Sequence, residues 1–172
     1  MRTFLVCTVT LLMVLLELLA GNRHLPLALP VYSAVYFAVV YRKSAGIISA
    51  AAAGLIIEAM YGREWMLLTL IFPAVVLLAL TSVRKYRRQM PAAPLAAGAV
   101  CGATADLGMV LVALLHGGQL PGPDIFSMLI FQIFTGALFM LIFTLLADFL
   151  AFKCNLPRFI SSGNSKRGIK DV

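Results

Sequence analysis

An all-α membrane bundle of six transmembrane helices is the fold class this sequence predicts, and three observations carry it. The hydrophobic fraction is 62% and the charged fraction 12%, whereas globular chains are roughly half apolar and about a quarter charged. The apolar residues gather into membrane-length runs separated by short polar turns, the pattern of helices that cross a bilayer; the mean hydropathy is +0.98. Finally, the basic residues fall almost entirely into alternate turns, as they do in multi-pass proteins.

The elements follow in order. Residues 4–20 form the first run, behind Arg2. A basic start, an apolar stretch and the small Ala20 also describe a signal peptide, but Glu17 interrupts the end of the run, and a retained helix is expected. The second span, 27–41, is short and opened by Pro30, which a first helical turn tolerates because the missing N–H would be unpaired there. Arg42, Lys43 and Ser44 make a tight basic turn into the third span, 45–60. Trp65 opens the fourth span, 65–82, with Pro73 set to kink it. Arg84, Lys85, Arg87 and Arg88 follow in a loop that Pro91 and Pro94 close. The fifth span covers 95–115, a Gly/Pro-rich loop 116–123, and the sixth span 125–152. The six-helix domain is thus residues 1–153. The polar, basic stretch 154–172 is expected to be a poorly ordered cytoplasmic tail.

Placing the N-terminus in the cytoplasm puts twelve of the fourteen Lys and Arg residues inside and leaves only Arg23 and Arg63 outside. The positive-inside rule therefore predicts six helices with both ends in the cytoplasm. The same placement accounts for the net charge of +7 without nucleic acid: the basic turns orient the chain and meet anionic lipids at the cytoplasmic face.

The stretch 45–62, AGIISAAAAGLIIEAMYG, has the most distinctive pattern. Gly46, Ala50, Ala53 and Gly54 recur at helical spacing and build a smooth face that another helix can approach closely. Glu58 lies on the same face one turn further on. Gly98, Gly102 and Asp106 repeat this arrangement in the fifth span, which suggests a central pair of helices or a shared polar pocket. Glu17 and Asp148 complete a set of four acids in or beside the spans. A carboxyl at membrane depth is costly when it faces lipid, so Glu58 is expected to point inward. The four acids either hold helices together through hydrogen bonds to Ser, Thr or backbone groups, dock a partner or ligand, or couple protons. Glu17 and Glu58 lie near outer helix ends, where snorkelling would relieve them, and Asp148 lies near the inner basic turns.

No catalytic constellation or metal site is expected. His24 and His116 fall in separate outer loops without an HExxH or His/Cys cluster, and no GxSxG, P-loop or GxGxxG unit occurs. Cys7, Cys101 and Cys154 form neither a CxxC nor an even set, so they read as small apolar fillers. The chain is therefore expected to be non-enzymatic and without cofactor.

The second and third spans together, LPLALPVYSAVYFAVVYRKSAGIISAAAAGLIIEAMYG, resemble the core segment of the MreD family of rod-shape-determining membrane proteins. Pro26, Tyr36, Arg42, Gly46, Gly54, Leu55, Glu58 and Gly62 occupy the places of that family's proline-led helix, basic turn and Gly-rich helix ending in an acid. Glu58 departs from the family's usual Asp. The resemblance implies a scaffold of the bacterial cell-elongation and peptidoglycan-synthesis machinery. Its partner would be an MreC-like protein with one membrane helix, linked to other elongation-complex proteins and bound through the small-residue faces. Six short helices in a chain of this length also look like the substrate-binding subunit of an energy-coupling-factor transporter for a vitamin or metal, with Glu17 and Glu58 lining an outer pocket.

Overall fold

The computed structural model describes residues 2–21, 28–61, 67–86, 92–115, 125–153 and 156–159. Over these residues the chain is all-helical: α1 (Arg2–Gly21), α2 (Leu29–Val40), α3 (Lys43–Met60), α4 (Leu68–Tyr86), α5 (Ala92–Leu115) and α6 (Ile125–Lys153). Four stretches are long and apolar enough to cross a membrane: Thr3–Ala20, Lys43–Met60, Leu68–Tyr86 and Ser127–Lys153. They mark the chain as a membrane protein. Residues 22–27, 62–66 and 116–124, expected as outer loops, the basic residues Arg87 and Arg88, Cys154 and the residues from 160 onward lie outside the described residues.

The bundle is organised around α2, not around α3. With 12 residues, α2 is about 18 Å long, well short of the roughly 30 Å of a bilayer's hydrocarbon core. Its sequence, LPVYSAVYFAVV, has no polar face, and a helix apolar all round belongs inside. Every one of its residues except Val39 is buried. It touches all five other helices, which form an arc around it in the order α1, α3, α4, α5, α6. Among the described residues α1 and α6 make no contact with each other, so the arc stays open between them.

Small residues set the closest approaches. A methyl group on Gly46 would strike the Ala34 carbonyl and the Ala38 side chain, so this face of α3 lies against α2. One at Gly54 would meet the backbone of Leu68 and Thr69, where α4 begins. Ala50 and Ala53 between them are fully buried. On α5, a methyl on Gly98 would run into the Gly136 carbonyl of α6, and one on Gly102 into the Gln132 carbonyl. The two smooth faces expected to pair with each other are thus covered by different neighbours. Among the described residues α3 and α5 do not touch, because α4 stands between them in the arc.

Aromatic side chains fill the space between α2 and α6. The Tyr32 and Phe139 rings lie 5.4 Å apart, and Tyr36 meets Phe143 edge-on at 5.8 Å. Outward faces carry Leu and Phe, among them Leu15 and Leu19 on α1 and Phe134 and Leu138 on α6. Pro73 sits inside a continuous α4. Beyond α6, residues 156–159 lie against the bundle. Leu156 N–H returns to the Ala151 carbonyl at 2.8 Å, and Phe159, 3% exposed, stacks on Tyr36.

An Ala substitution reads the α5–α6 contact directly. Ala favours an isolated helix over Gly by about 1 kcal/mol, so Gly98→Ala would stabilise the protein if space were free. Overpacking a tight contact costs about 1–3 kcal/mol. Gly98→Ala and Gly102→Ala are therefore expected to lower the thermal midpoint in detergent, and a rise in either would remove the backbone-to-backbone contact.

Candidate functional site

The residues singled out in the sequence converge on the starts of segments. α2 begins after Ala28, which adopts a left-handed conformation (φ 50°, ψ 35°) and supplies no side-chain cap. Three first-turn positions need accounting, as at any helix N-terminus in an apolar interior. Leu29 N–H donates to Glu17 Oε2 at 2.9 Å. Pro30 has no N–H to satisfy. Val31 N–H donates to the Ala28 carbonyl at 3.0 Å. Glu17, from the end of α1, is 6% exposed and acts as the cap that Ala28 cannot be.

Glu58 does the same for α4. Leu68 N–H donates to Oε1 at 2.5 Å, and Thr69 N–H donates to Oε2 at 3.3 Å. The Thr69 hydroxyl adds a third bond to Oε2 at 3.0 Å. Leu70 N–H turns to the Leu67 carbonyl at 3.0 Å, so every first-turn amide of α4 has a partner. Both carboxylate oxygens accept, which suits a group that has acceptors and no N–H donor of its own. Glu58 is 1% exposed, and Gly54 one turn earlier lets the α4 backbone come near enough to be reached.

Asp148 repeats the device at the far end of the chain. Its Oδ1 accepts the Phe159 N–H at 2.7 Å and the Tyr36 hydroxyl at 2.8 Å. One oxygen thereby ties α6, the central helix and the returning segment together. The three acid-to-amide links span 12, 10 and 11 residues. Each runs from an acid in the later part of a helix to a backbone amide of the segment that follows it.

Of the three roles open to these acids, the described geometry is that of hydrogen bonds to backbone. The Glu17 and Glu58 side chains are both buried, 6% and 1% exposed. Gly46, Ala50, Gly54, Gly98 and Gly102 are buried within the chain, and the four glycines are covered by its own helices. Asp106 lies on α5 one turn beyond Gly102, and its side chain is outside the described residues. Among the described residues no group of His, Cys, Asp and Glu is arranged to hold a metal ion. Cys7 is exposed and Cys101 buried, both as free thiols. The sequence carried one signal of this arrangement: neither Ala28 nor Leu67 is a residue that caps a helix, so the cap had to come from elsewhere.

The caps set an order of stability. Stranding a buried amide costs about 1–3 kcal/mol, and Glu58→Ala strands those of Leu68 and Thr69. Glu58→Gln keeps one acceptor oxygen, and Thr69→Val removes only the hydroxyl bond, worth about 1 kcal/mol. Thermal unfolding in detergent is expected to rank the losses as Ala above Gln above Thr69→Val. Equal stability of Glu58→Ala and wild type would show that α4 is capped in some other way.

Compared with models of known protein families, with curated proteins and with solved structures, the chain shows no match to any of them.

Proposed function

We propose that this chain is a non-enzymatic scaffold of the bacterial cell-elongation machinery, lying in the inner membrane with six spans and both ends in the cytoplasm. The segment that carries the resemblance to the MreD family supplies the centre of the bundle, α2, and the helix packed on it, α3. The buried acids whose side chains are described are held by backbone amides and the tyrosine hydroxyl, which favours a structural over a transport role for them. The partner is an MreC-like protein with a single membrane helix.

The observation that carries the docking side of this reading is the open arc. α1 and α6 stand at its two ends, and they are the least covered of the four long apolar helices. Only 22% of the α1 span and 28% of the α6 span are buried, against 39% for each of α3 and α4. The small-residue faces are already occupied by helices of the same chain. A partner helix is therefore assigned to the outward Leu and Phe rows at the ends of the arc, where Leu15 and Leu138 are half exposed.

Gentle detergent extraction of the tagged chain from bacterial membranes, with a photo-crosslinking residue at one position at a time, tests this. Crosslinkers at Leu15 or Leu138 are expected to capture a single-span protein with a large outer domain, and one at Leu77 on the middle of α4 is not. Capture from Leu77 alone would move the interface. Recovery of ATP-hydrolysing subunits in place of that partner would replace the scaffold with the transporter subunit.

A further inference from the structure

Where the turn between α2 and α3 meets the end of α4, the structure holds a cavity of about 700 Å³, a volume typical of small-ligand sites. Its inner wall is aliphatic, with Leu80 and Val83 of α4, both buried. Its rim carries Arg42, Lys43 and Ser44 from the turn and Arg84 from α4. All four rim residues are exposed, and among the described residues no acid lines the cavity. The three carboxylates whose side chains are described are bound elsewhere, at Leu29, at Leu68 and Thr69, and at Phe159. Three cations from two elements thus share one mouth without a counter-charge from those acids. Arg42 is also the N-cap of α3 and makes no side-chain cap bond, so the positive end of that helix dipole adds to the same rim.

The division of the cavity into an apolar wall and a cationic rim selects among anions. A free phosphate is recognised by polar groups on all sides and gains nothing from Leu80 and Val83. A phospholipid has both parts: a phosphate for the rim, and a glycerol and acyl stem for the wall. Basic pockets between membrane helices on the cytoplasmic side take anionic headgroups in this way. We infer that this cavity seats the headgroup of an anionic phospholipid, with the phosphate among Arg42, Lys43 and Arg84. The inference rests on the bundle lying in a bilayer and not on the scaffold reading, so a failure to capture a protein partner leaves it intact.

Native mass spectrometry of the full chain in detergent, titrated with short-chain phosphatidylglycerol, tests it. One equivalent is expected to bind in preference to phosphatidylcholine. Arg84→Gln is expected to weaken binding about fivefold and the Arg42→Gln, Lys43→Gln double variant about twenty-five-fold, since each cation near a membrane surface contributes about 1 kcal/mol. Lys85→Gln with Lys153→Gln removes two exposed cations outside the cavity and is expected to leave binding unchanged. Helical circular dichroism checks that each variant folds, and the single exposed Arg84→Gln keeps the test open should the double variant fail to. Three results would overturn the inference. Equal losses from the Lys85, Lys153 pair would mean diffuse attraction to a basic surface. Equal binding of phosphatidylcholine would remove the role of charge. Displacement of the lipid by equimolar inorganic phosphate would mean a soluble-anion site.

Discussion

A backbone N–H in the first turn of a helix has no partner within that helix, and inside an apolar bundle water does not take its place. That constraint governs how this chain is built. Its central helix, α2, begins in the buried interior of the bundle, and Ala28 ahead of it offers no side-chain acceptor. The acceptor is Glu17, reaching across from α1. Without it, surrounding α2 with five helices would bury an unsatisfied amide. Glu58 allows α4 to begin against α3 in the same way, and Asp148 fastens the segment that follows α6.

Once the starts of the segments are fixed, the packing follows from side-chain size. Glycines on α3 and α5 bring α2, α4 and α6 to near backbone contact, and tyrosine and phenylalanine fill the wider gap between α2 and α6. Between helices in a membrane, where lipid is as apolar as leucine, such close contacts and hydrogen bonds supply the association that the hydrophobic effect supplies in water. The arc remains open between α1 and α6, so the interior is closed by packing while the two end helices keep broad apolar faces. Arg42, Lys43 and Arg84 gather at a cavity where the turn between α2 and α3 meets the end of α4.

The helices themselves were legible in the sequence because apolar runs and basic turns mark membrane spans strongly. Their ends were less so. α4 runs on past Ser82 to include Arg84 and Lys85 in its last turn, where cations favour the helix dipole, and α5 starts at Ala92, ahead of Pro94. The glycine faces were legible as places of close approach, but not their neighbours, since any helix fits a smooth face. That is why α3 and α5 looked like partners while α4 separates them. The lack of a polar face on α2 implied burial and did not say that the whole bundle would surround it. Glu58 announced that it points inward, and the residues that receive the acids, Leu29, Leu68 and Phe159, carry no sequence mark because the backbone is the partner. Phe159 was hidden for another reason: it lies in a short stretch with no membrane-length apolar run, and the turn back to Ala151 brings it to Tyr36.

Residue-resolved hydrogen–deuterium exchange of the full chain in detergent tests the capping carboxylates most directly. α3 provides the internal reference, since its N-cap Arg42 makes no side-chain bond and the amides of Lys43 and Ser44 are first-turn amides without such a cap. The amides of Leu29, Leu68, Thr69 and Phe159 are expected to exchange far more slowly than those two, at rates close to mid-helix amides. In Glu58→Ala, Leu68 and Thr69 alone should be released, with Leu29 and Phe159 unchanged. Exchange of Leu29 and Leu68 as fast as Lys43 in the wild type would contradict the account.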